Sequence, residues 1–561
     1  MAQYKRFFVS QQEATMIRPF ILRLSASLSA SHTASRTVRR NGAALRPLVL
    51  AFALCLLVAC AVNPVTGRNE LNFVSEEAER NIGAQQYGPS KQSQGGEYSA
   101  DPELSAYVNE VGQRVAAVSD RPLDYEFVVL NNGVPNAWAL PGGKIAVNRG
   151  LLLELDNEAE LAAVLGHEVV HAAARHGAQA MTRGTLLQGA LVVGTIAAAS
   201  SEYSQYTDFI VGGAQVGAQL ISTRYGRDAE RESDYYGIQY MLRAGYDPRA
   251  AVSLQQTFVR LSEGRASGWL EGLFASHPPS QERVDNNQAL VNELQPQIAG
   301  RDLELGEARY QQAIAHLEET KEAYALFDEA EKEIAEDDLE DALDKVEEAI
   351  TLVPDEPRFH GLKGDIMVYQ RRYRAAIDNY DEALERDSQY FDYYLGRGVA
   401  HARLDENREA RADLERSAEL LPTAIAMNEL GKLSLLDGDR TAAKEYFQQA
   451  AGAQGFVGQE AQSAFIQLDV EDNPGAYVQA QVFSDERGRI YARVTNRSSL
   501  AMAGVRVDFA AVIGGAIRRQ SQIVGNLQGG SYVDVSSGLA FPQGTTWTAD
   551  MMSAEVVAVE L

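Results

Sequence analysis

The sequence predicts a multidomain, mainly helical chain in three parts: an α-rich body with a small β-sheet, an α-solenoid of about four helix pairs, and a C-terminal β-sandwich. Three observations predict it. Two histidines, His167 and His171, stand four apart in the apolar stretch around HEVVH. Glycine, alanine and large apolar residues recur every 33 or 34 positions between about Ala323 and Gly452. The last hundred residues then turn to β-branched, alternating segments cut by Gly, Asn and Ser. A length of 561 residues exceeds what one core organises, and 45 % hydrophobic with 23 % charged residues are globular values that exclude disorder throughout. The expected boundaries are a leader over 1–59, the first body over 60–320, the repeats over 323–455 and the β domain over 470–561.

The chain opens on a targeting segment rather than on structure. Arg39, Arg40 and Arg46 precede an apolar run from Pro47 to Ala59, too short to span a bilayer comfortably and suited to a signal-peptide core. The run ends LVAC, Leu57 to Cys60, which resembles a bacterial lipoprotein signal; that resemblance implies acylation of Cys60 as the first mature residue, a lipid anchor, and, because Ala61 is not aspartate, the periplasmic face of the outer membrane. Plain secretion and a retained membrane anchor are the other readings. Residues 1–45 are long for a basic leader, and Met16 is an alternative start. Cys55 would leave with the leader, so no intramolecular disulfide remains. Residues 1–59 carry eight Lys or Arg against one acid, so the remainder, with 43 basic and 76 acidic residues, stands at −33. Such a body repels phosphate backbones and argues against nucleic-acid binding.

Asp124–Leu130 and Lys144–Asn148 read as strands, the second entered through Pro141, Gly142 and Gly143. Asn157 then caps a helix, with Glu160 three residues on to complete a capping box and an apolar run from Ala159 to Val170. HEVVH falls inside that helix, so both imidazoles face one way and reach a single ion, while Glu168 lies beside it, placed to deprotonate an activated water. A third ligand is needed. Glu230 and Asp234 share a face of a second helix, so one carboxylate can bind metal while the other accepts a hydrogen bond from a ligand histidine; Glu232 is the competing ligand. His176, nine residues from His167 and about half a turn round the helix, receives no role. Between the two helices, Leu186–Ala199 and Phe209–Ile221 are apolar but shorter than a bilayer span; they read as buried helices, with apposition to a membrane as the other reading.

HEVVH paired with RDAERESD, preceded by NAWALPGGKIAVNRGLLLELDNEAELAAVLGHE and followed by SHPPSQER, resembles zinc metallopeptidases of the HtpX and BepA type over roughly residues 63–285. The resemblance implies a zincin-like peptidase domain holding one zinc ion on His167, His171 and Glu230, with Glu168 as general base and Asp234 supporting a ligand histidine. Where relatives read EAD, this chain has Glu232, Ser233 and Asp234. The resemblance also implies that the segment from Asn136 through Ala137, Trp138 and Ala139 to Leu140 forms a sheet edge on which an extended substrate pairs by main-chain hydrogen bonds. His277 fits the same family pattern and either stabilises the oxyanion or occupies the fourth position on zinc, while Arg283 anchors its loop through a carboxylate.

Gly364, Gly398 and Gly431, then Ala376, Ala410 and Ala443, then Tyr380, Leu414 and Phe447 keep the tetratricopeptide beat, and Ala342, Val346, Ala349 and Pro354 fit an earlier copy. Such repeats present a concave face to a protein partner. Segments Tyr477–Phe483, Arg489–Asn496, Val505–Ile513, Tyr532–Val535 and Glu555–Glu560 read as strands of the sandwich. The functional expectation is a zinc endopeptidase acting on misfolded or stalled envelope proteins, with the repeats selecting clients or docking on outer-membrane assembly machinery. The alternative is a largely latent peptidase serving as a lipid-anchored chaperone or scaffold.

Overall fold

The structure, a computed structural model, describes residues 60–193, 225–264 and 276–560. The leader lies outside them, as do Phe209–Ile221 and residues 194–199 of the Leu186–Ala199 segment. The chain divides into two compact units, residues up to 400 and residues from 401.

The first unit begins with a short antiparallel hairpin, β1 (Cys60–Val62) and β2 (Asn69–Leu71), and two helices, Glu76–Ser93 and Pro102–Ala116. Both helices start on a side chain that takes an otherwise unpaired N–H: Ser75 accepts from Ala78 and Asp101 from Leu104. A three-stranded sheet follows in the order β3-β5-β4, with β3 (Glu126–Leu130) parallel to β5 (Lys144–Asn148) and β4 (Ala137–Leu140) antiparallel to it. β4 is therefore an edge. Its hairpin to β5 turns on Gly142 and Gly143 at φ +83° and +90°, which a side chain would strain.

The HEVVH helix, Glu158–Ala173, is buried along its whole length except at His167. Asn157 Oδ1 accepts from Glu160 N at 3.0 Å, while the Glu160 carboxylate returns to Asp156 N at 2.9 Å, a capping box displaced by one residue. The helix packs against Arg227–Arg243 through two glycines. A Cβ on Gly166 would stand 3.2 Å from Gly237 O, and one on Gly237 would stand 3.1 Å from His167 N. That close approach brings Glu230 to the histidines.

Helices pair within each unit: Ala315–Glu336 with Leu339–Leu352 and Pro357–Tyr369 with Tyr373–Arg386 in the first, and Ala424–Leu436 with Arg440–Ala450 in the second, with Phe391–Arg403 and Asn407–Leu420 between them in the sequence. The periodic residues explain the pairing. Ala342, Ala376, Ala410 and Ala443 are fully buried, and Gly364 and Gly431 leave room for the rings of Tyr380 and Phe447. Each first helix ends the same way: Asp337, Arg371, Asp405 and Gly438 take positive φ, and the next N–H bonds five residues back, at 2.8–3.0 Å. This is the Schellman closure. In the first unit the hydrophobic core runs without a break from Tyr98 through Val129 and Leu161 to Phe327, Phe359 and Ile366, across residue 320.

The second unit ends in two three-stranded antiparallel sheets, β10-β7-β6 and β11-β8-β9, closing over Val478, Ile490, Val494, Val507, Phe509 and Val556. Five of the six strands, β6 (Val478–Ser484), β7 (Arg489–Asn496), β8 (Ala503–Ile513), β10 (Tyr532–Ala540) and β11 (Met552–Glu560), overlap the expected segments. The sixth, β9 (Ala516–Val524), is an exposed edge whose side chains are mostly polar, so it lacks the alternation that marks a half-buried strand. Gly514 and Gly515, both at positive φ, join it to β8 in a two-residue hairpin. Among the described residues no helix is long and apolar enough to cross a membrane.

Candidate metal centre

His167 and His171 present their Nε2 atoms to one another at 3.0 Å from successive turns of one helix. Glu230, from the Arg227–Arg243 helix, places Oε2 3.5 Å from His167 Nε2 and Oε1 3.4 Å from His171 Nε2. His277 enters just before the helix Gln281–Glu293, its Nδ1 2.9 Å from Glu230 Oε1 and 3.3 Å from His167 Nε2. One ligand atom from each of these four residues lies within 4.8 Å of all the others. Glu168 is 2 % exposed, with Oε1 3.6 Å from His277 Nε2 and Oε2 without a hydrogen-bond partner.

The outer nitrogen of each helix histidine fixes which way the lone pair of its inner nitrogen points. His167 Nδ1 lies 3.0 Å from Asp234 Oδ1, and Asp234 takes two 2.7 Å bonds from Arg283. Such a fork holds the carboxylate in one plane. Arg283 also lies 3.2 Å from Glu230 Oε2, outside hydrogen-bond geometry, and 3.4 Å from Pro278 O. His171 Nδ1 faces His176 Nδ1 at 3.0 Å, and the Tyr225 ring stacks on His171 with centroids 4.1 Å apart.

Burial pushes the Glu168 carboxyl up, against the pull of His277 and His167. Glu230 is also desolvated, but His277, His167 and His171 outweigh that and hold it well below the usual carboxylate range. Burial works against charge on His167, yet its bonds to Asp234 and Glu230 dominate and lift it to about 10. Burial drives His171 the other way, well below its ordinary value. The carboxylates of Asp234 and Glu230 thus favour positive charge at His167. Three imidazole nitrogens and a carboxylate converging on one point, with buried oxygens of Glu168 and Glu230 unpartnered, suit a borderline ion such as zinc.

His176 departs from the sequence expectation: a continued helix would turn it away from the site, but the helix ends at Ala173, Arg175 takes φ +64°, and the turn swings His176 back behind His171. Glu232, the competing ligand, points out of the cluster and accepts from Asn63 Nδ2 at 2.9 Å, with His176 Nε2 at 3.3 Å. Tyr225 carries no sequence signal that would have singled it out. Asn136 to Ala139 run into the β4 edge, where Ala137, Trp138 and Ala139 are buried.

Residues 102–291 match the family model Peptidase family M48. The chain is 30 % identical over 220 residues to the Beta-barrel assembly-enhancing protease of Escherichia coli K12, covering 37 % of this chain and 44 % of that one. It is 32 % identical over 237 residues to the Mitochondrial metalloendopeptidase OMA1 of Schizosaccharomyces pombe, covering 41 % of this chain and 66 % of the relative. The match thus spans less than half the length of the assembly-enhancing proteases. Among solved structures, a thermophilic TPR protein of Thermus thermophilus is similar at 18 % identity and TM-score 0.24, over 26 % of this chain and 81 % of that one. HEVVH, its cluster of ligand atoms and the matched segment together make residues 102–291 a domain of peptidase family M48.

Proposed function

We propose that this protein is a zinc-dependent endopeptidase of the bacterial envelope that degrades misfolded or stalled outer-membrane and periplasmic proteins. The convergence of His167, His171, Glu230 and His277 within 4.8 Å carries the reading. His167, His171 and Glu230 would hold one zinc ion, which when bound supplies a Lewis acid for the scissile carbonyl and the attacking water. Glu168, raised by burial and with Oε2 free, takes the proton of that water and delivers it to the leaving amine. Asp234, gripped by Arg283, keeps His167 in one tautomer and one plane. The side of β4 that no described strand pairs would take an extended chain by main-chain bonds, and the cleft lined by Ile238, Met241, Leu254 and Phe258 beside Glu168 suits an apolar side chain. The helical repeats would select clients or dock on outer-membrane assembly machinery, and acylated Cys60 would tether the enzyme to the membrane.

Glu168→Gln against wild type on an unfolded envelope protein tests this. The enzyme reading expects cleavage to fall by about 10²–10⁴-fold with zinc retained. Unchanged behaviour would leave the scaffold reading. One observation favours a latent form: His277 sits among the ligands and also faces Glu168. His277→Ala should then speed cleavage if the imidazole masks zinc, and slow it if it holds the oxyanion. Mass spectrometry of the mature N-terminus tests acylation.

A further inference from the structure

His171 differs from His167 in what stands behind it. His167 leans directly on a carboxylate, whereas His171 leans on a second imidazole, and the protons along that line can be placed. With Nε2 turned to the cluster, His171 must carry its hydrogen on Nδ1; His176 Nδ1 accepts it at 3.0 Å, which leaves His176 Nε2–H to face Glu232 Oε1 at 3.3 Å. Glu232 in turn accepts from Asn63 Nδ2 at 2.9 Å. The Asn63 amide has a settled orientation, because its Oδ1 already accepts from Val65 N at 2.9 Å and Thr66 N at 3.2 Å. His176 and Asn63 are 3 % and 2 % exposed.

Asn63 belongs to the loop of the β1–β2 hairpin, and the hairpin's second strand and the residues that follow it are stitched to the segment beyond the HEVVH helix at successive points. Gln179 donates to Glu70, Phe73 N donates to Thr182 Oγ1 at 2.9 Å, and Arg175 donates to Val74 O and to Glu79, both at 2.7 Å. Glu70 ties the hairpin to that segment and also accepts from Asn63 Nδ2 at 3.2 Å, so the loop that carries Asn63 is held from two sides.

We propose that the N-terminal hairpin is a positioning element of the metal centre, in which Asn63 holds Glu232, Glu232 holds His176, and His176 holds His171 with its lone pair toward the metal. The proposal rests on the zinc reading above. Partners behind ligand histidines are worth about 10–100-fold in metal affinity. The hairpin begins at Cys60, the expected acylation site, so the relay starts where the membrane tether would end.

The test measures zinc dissociation constants of the full-length protein by chelator competition, the visible spectrum of the cobalt-substituted protein, and the melting temperature of the metal-free protein. His176→Leu should weaken zinc by about 10–100-fold and shift the cobalt bands. His176→Asn, which restores an acceptor for His171, should recover part of the loss. Asn63→Asp, which keeps the turn but sets a second carboxylate against Glu232, should move affinity the same way by a smaller factor. A zinc affinity that falls by more than the change in metal-free melting temperature accounts for, in His176→Asn and Asn63→Asp alike, separates positioning from scaffolding. Wild-type affinity in His176→Leu, while His167→Ala loses zinc, would overturn the relay and leave the zinc reading standing. A wild-type protein that takes up no zinc would overturn both. If His176→Leu does not fold, unaltered affinity in both His176→Asn and Asn63→Asp overturns the proposal.

Discussion

The two ends of the HEVVH helix are built from the same residue types and do different work. At its start, Glu158 accepts from Tyr246 Oη at 2.8 Å, Tyr107 Oη at 2.9 Å and Arg309 at 2.7 and 2.8 Å, and Arg114 and Arg309 both reach Glu304. Every oxygen there has a partner. At the other end, Glu168 and Glu230 each keep an oxygen without one, although both are buried. An orphan atom alone does not define a site, since Trp138 Nε1 is also buried and unpartnered. What only the far end adds is convergence: four potential ligand atoms aimed at one point. A saturated charge network is scaffold, and a convergent unsaturated one is a place for an ion.

The sharpest way to break that contrast is to remove charge from the unsaturated end. Glu230→Gln should cost zinc more than about 100-fold in affinity, exceeding the 10–100-fold typical of outer partners. Competition against a chromophoric chelator measures it, and an unchanged constant would return Glu230 to the scaffold class. Next in size is Arg283→Lys. A lysine keeps the charge but cannot grip both Asp234 oxygens, so His167 loses its fixed support and zinc should weaken by about 10–100-fold.

How much of this was legible beforehand follows the same divide. The HEVVH helix announces itself through Asn157, Glu160 and an apolar run, and Glu230 through a carboxylate pair at helical spacing, because local periodicity encodes both. The repeats are more legible still, since each beat must present a small residue opposite a large one, as Gly431 does to Phe447. Their turns are not, because three of the four left-handed positions are Asp337, Arg371 and Asp405, which carry no glycine signal. β4 is reached only through the family resemblance, since AWAL is buried throughout and shows no alternation. His176 is lost at the unmarked break at Arg175, and the bond from Asn63 to Glu232 spans 169 residues, beyond any spacing rule.

At the saturated end the expected effects are on stability alone. Glu158→Gln removes the charge and leaves the Tyr107 and Tyr246 hydroxyls short of acceptors, which should cost about 1–3 kcal/mol in urea unfolding while zinc affinity stays at the wild-type value. A weakened zinc site in that variant would mean that the two ends are coupled through the helix, and the contrast drawn here would be false.

The smallest effect is the most diagnostic of what kind of network the saturated end is. Glu304 is held by Arg114 first and Arg309 second, which bring its carboxyl down from 4.5 to about 2. A depressed carboxylate stabilises the fold above its unfolded value and loses that contribution as pH falls through the folded one. Its share of stability is therefore present above about pH 4.5 and gone below about pH 2. Because the Glu304 side chain is 41 % exposed, solvent screening limits its worth at neutral pH to less than about 1 kcal/mol. Glu304→Gln should flatten the stability profile between those two pH values, with little change at pH 7. High salt should shrink the difference further, since an exposed pair is screened where a buried one is not. A Glu304→Gln loss that survives in about 1 M salt would show this end to be sealed from water as the metal centre is, and exposure would then no longer separate the two.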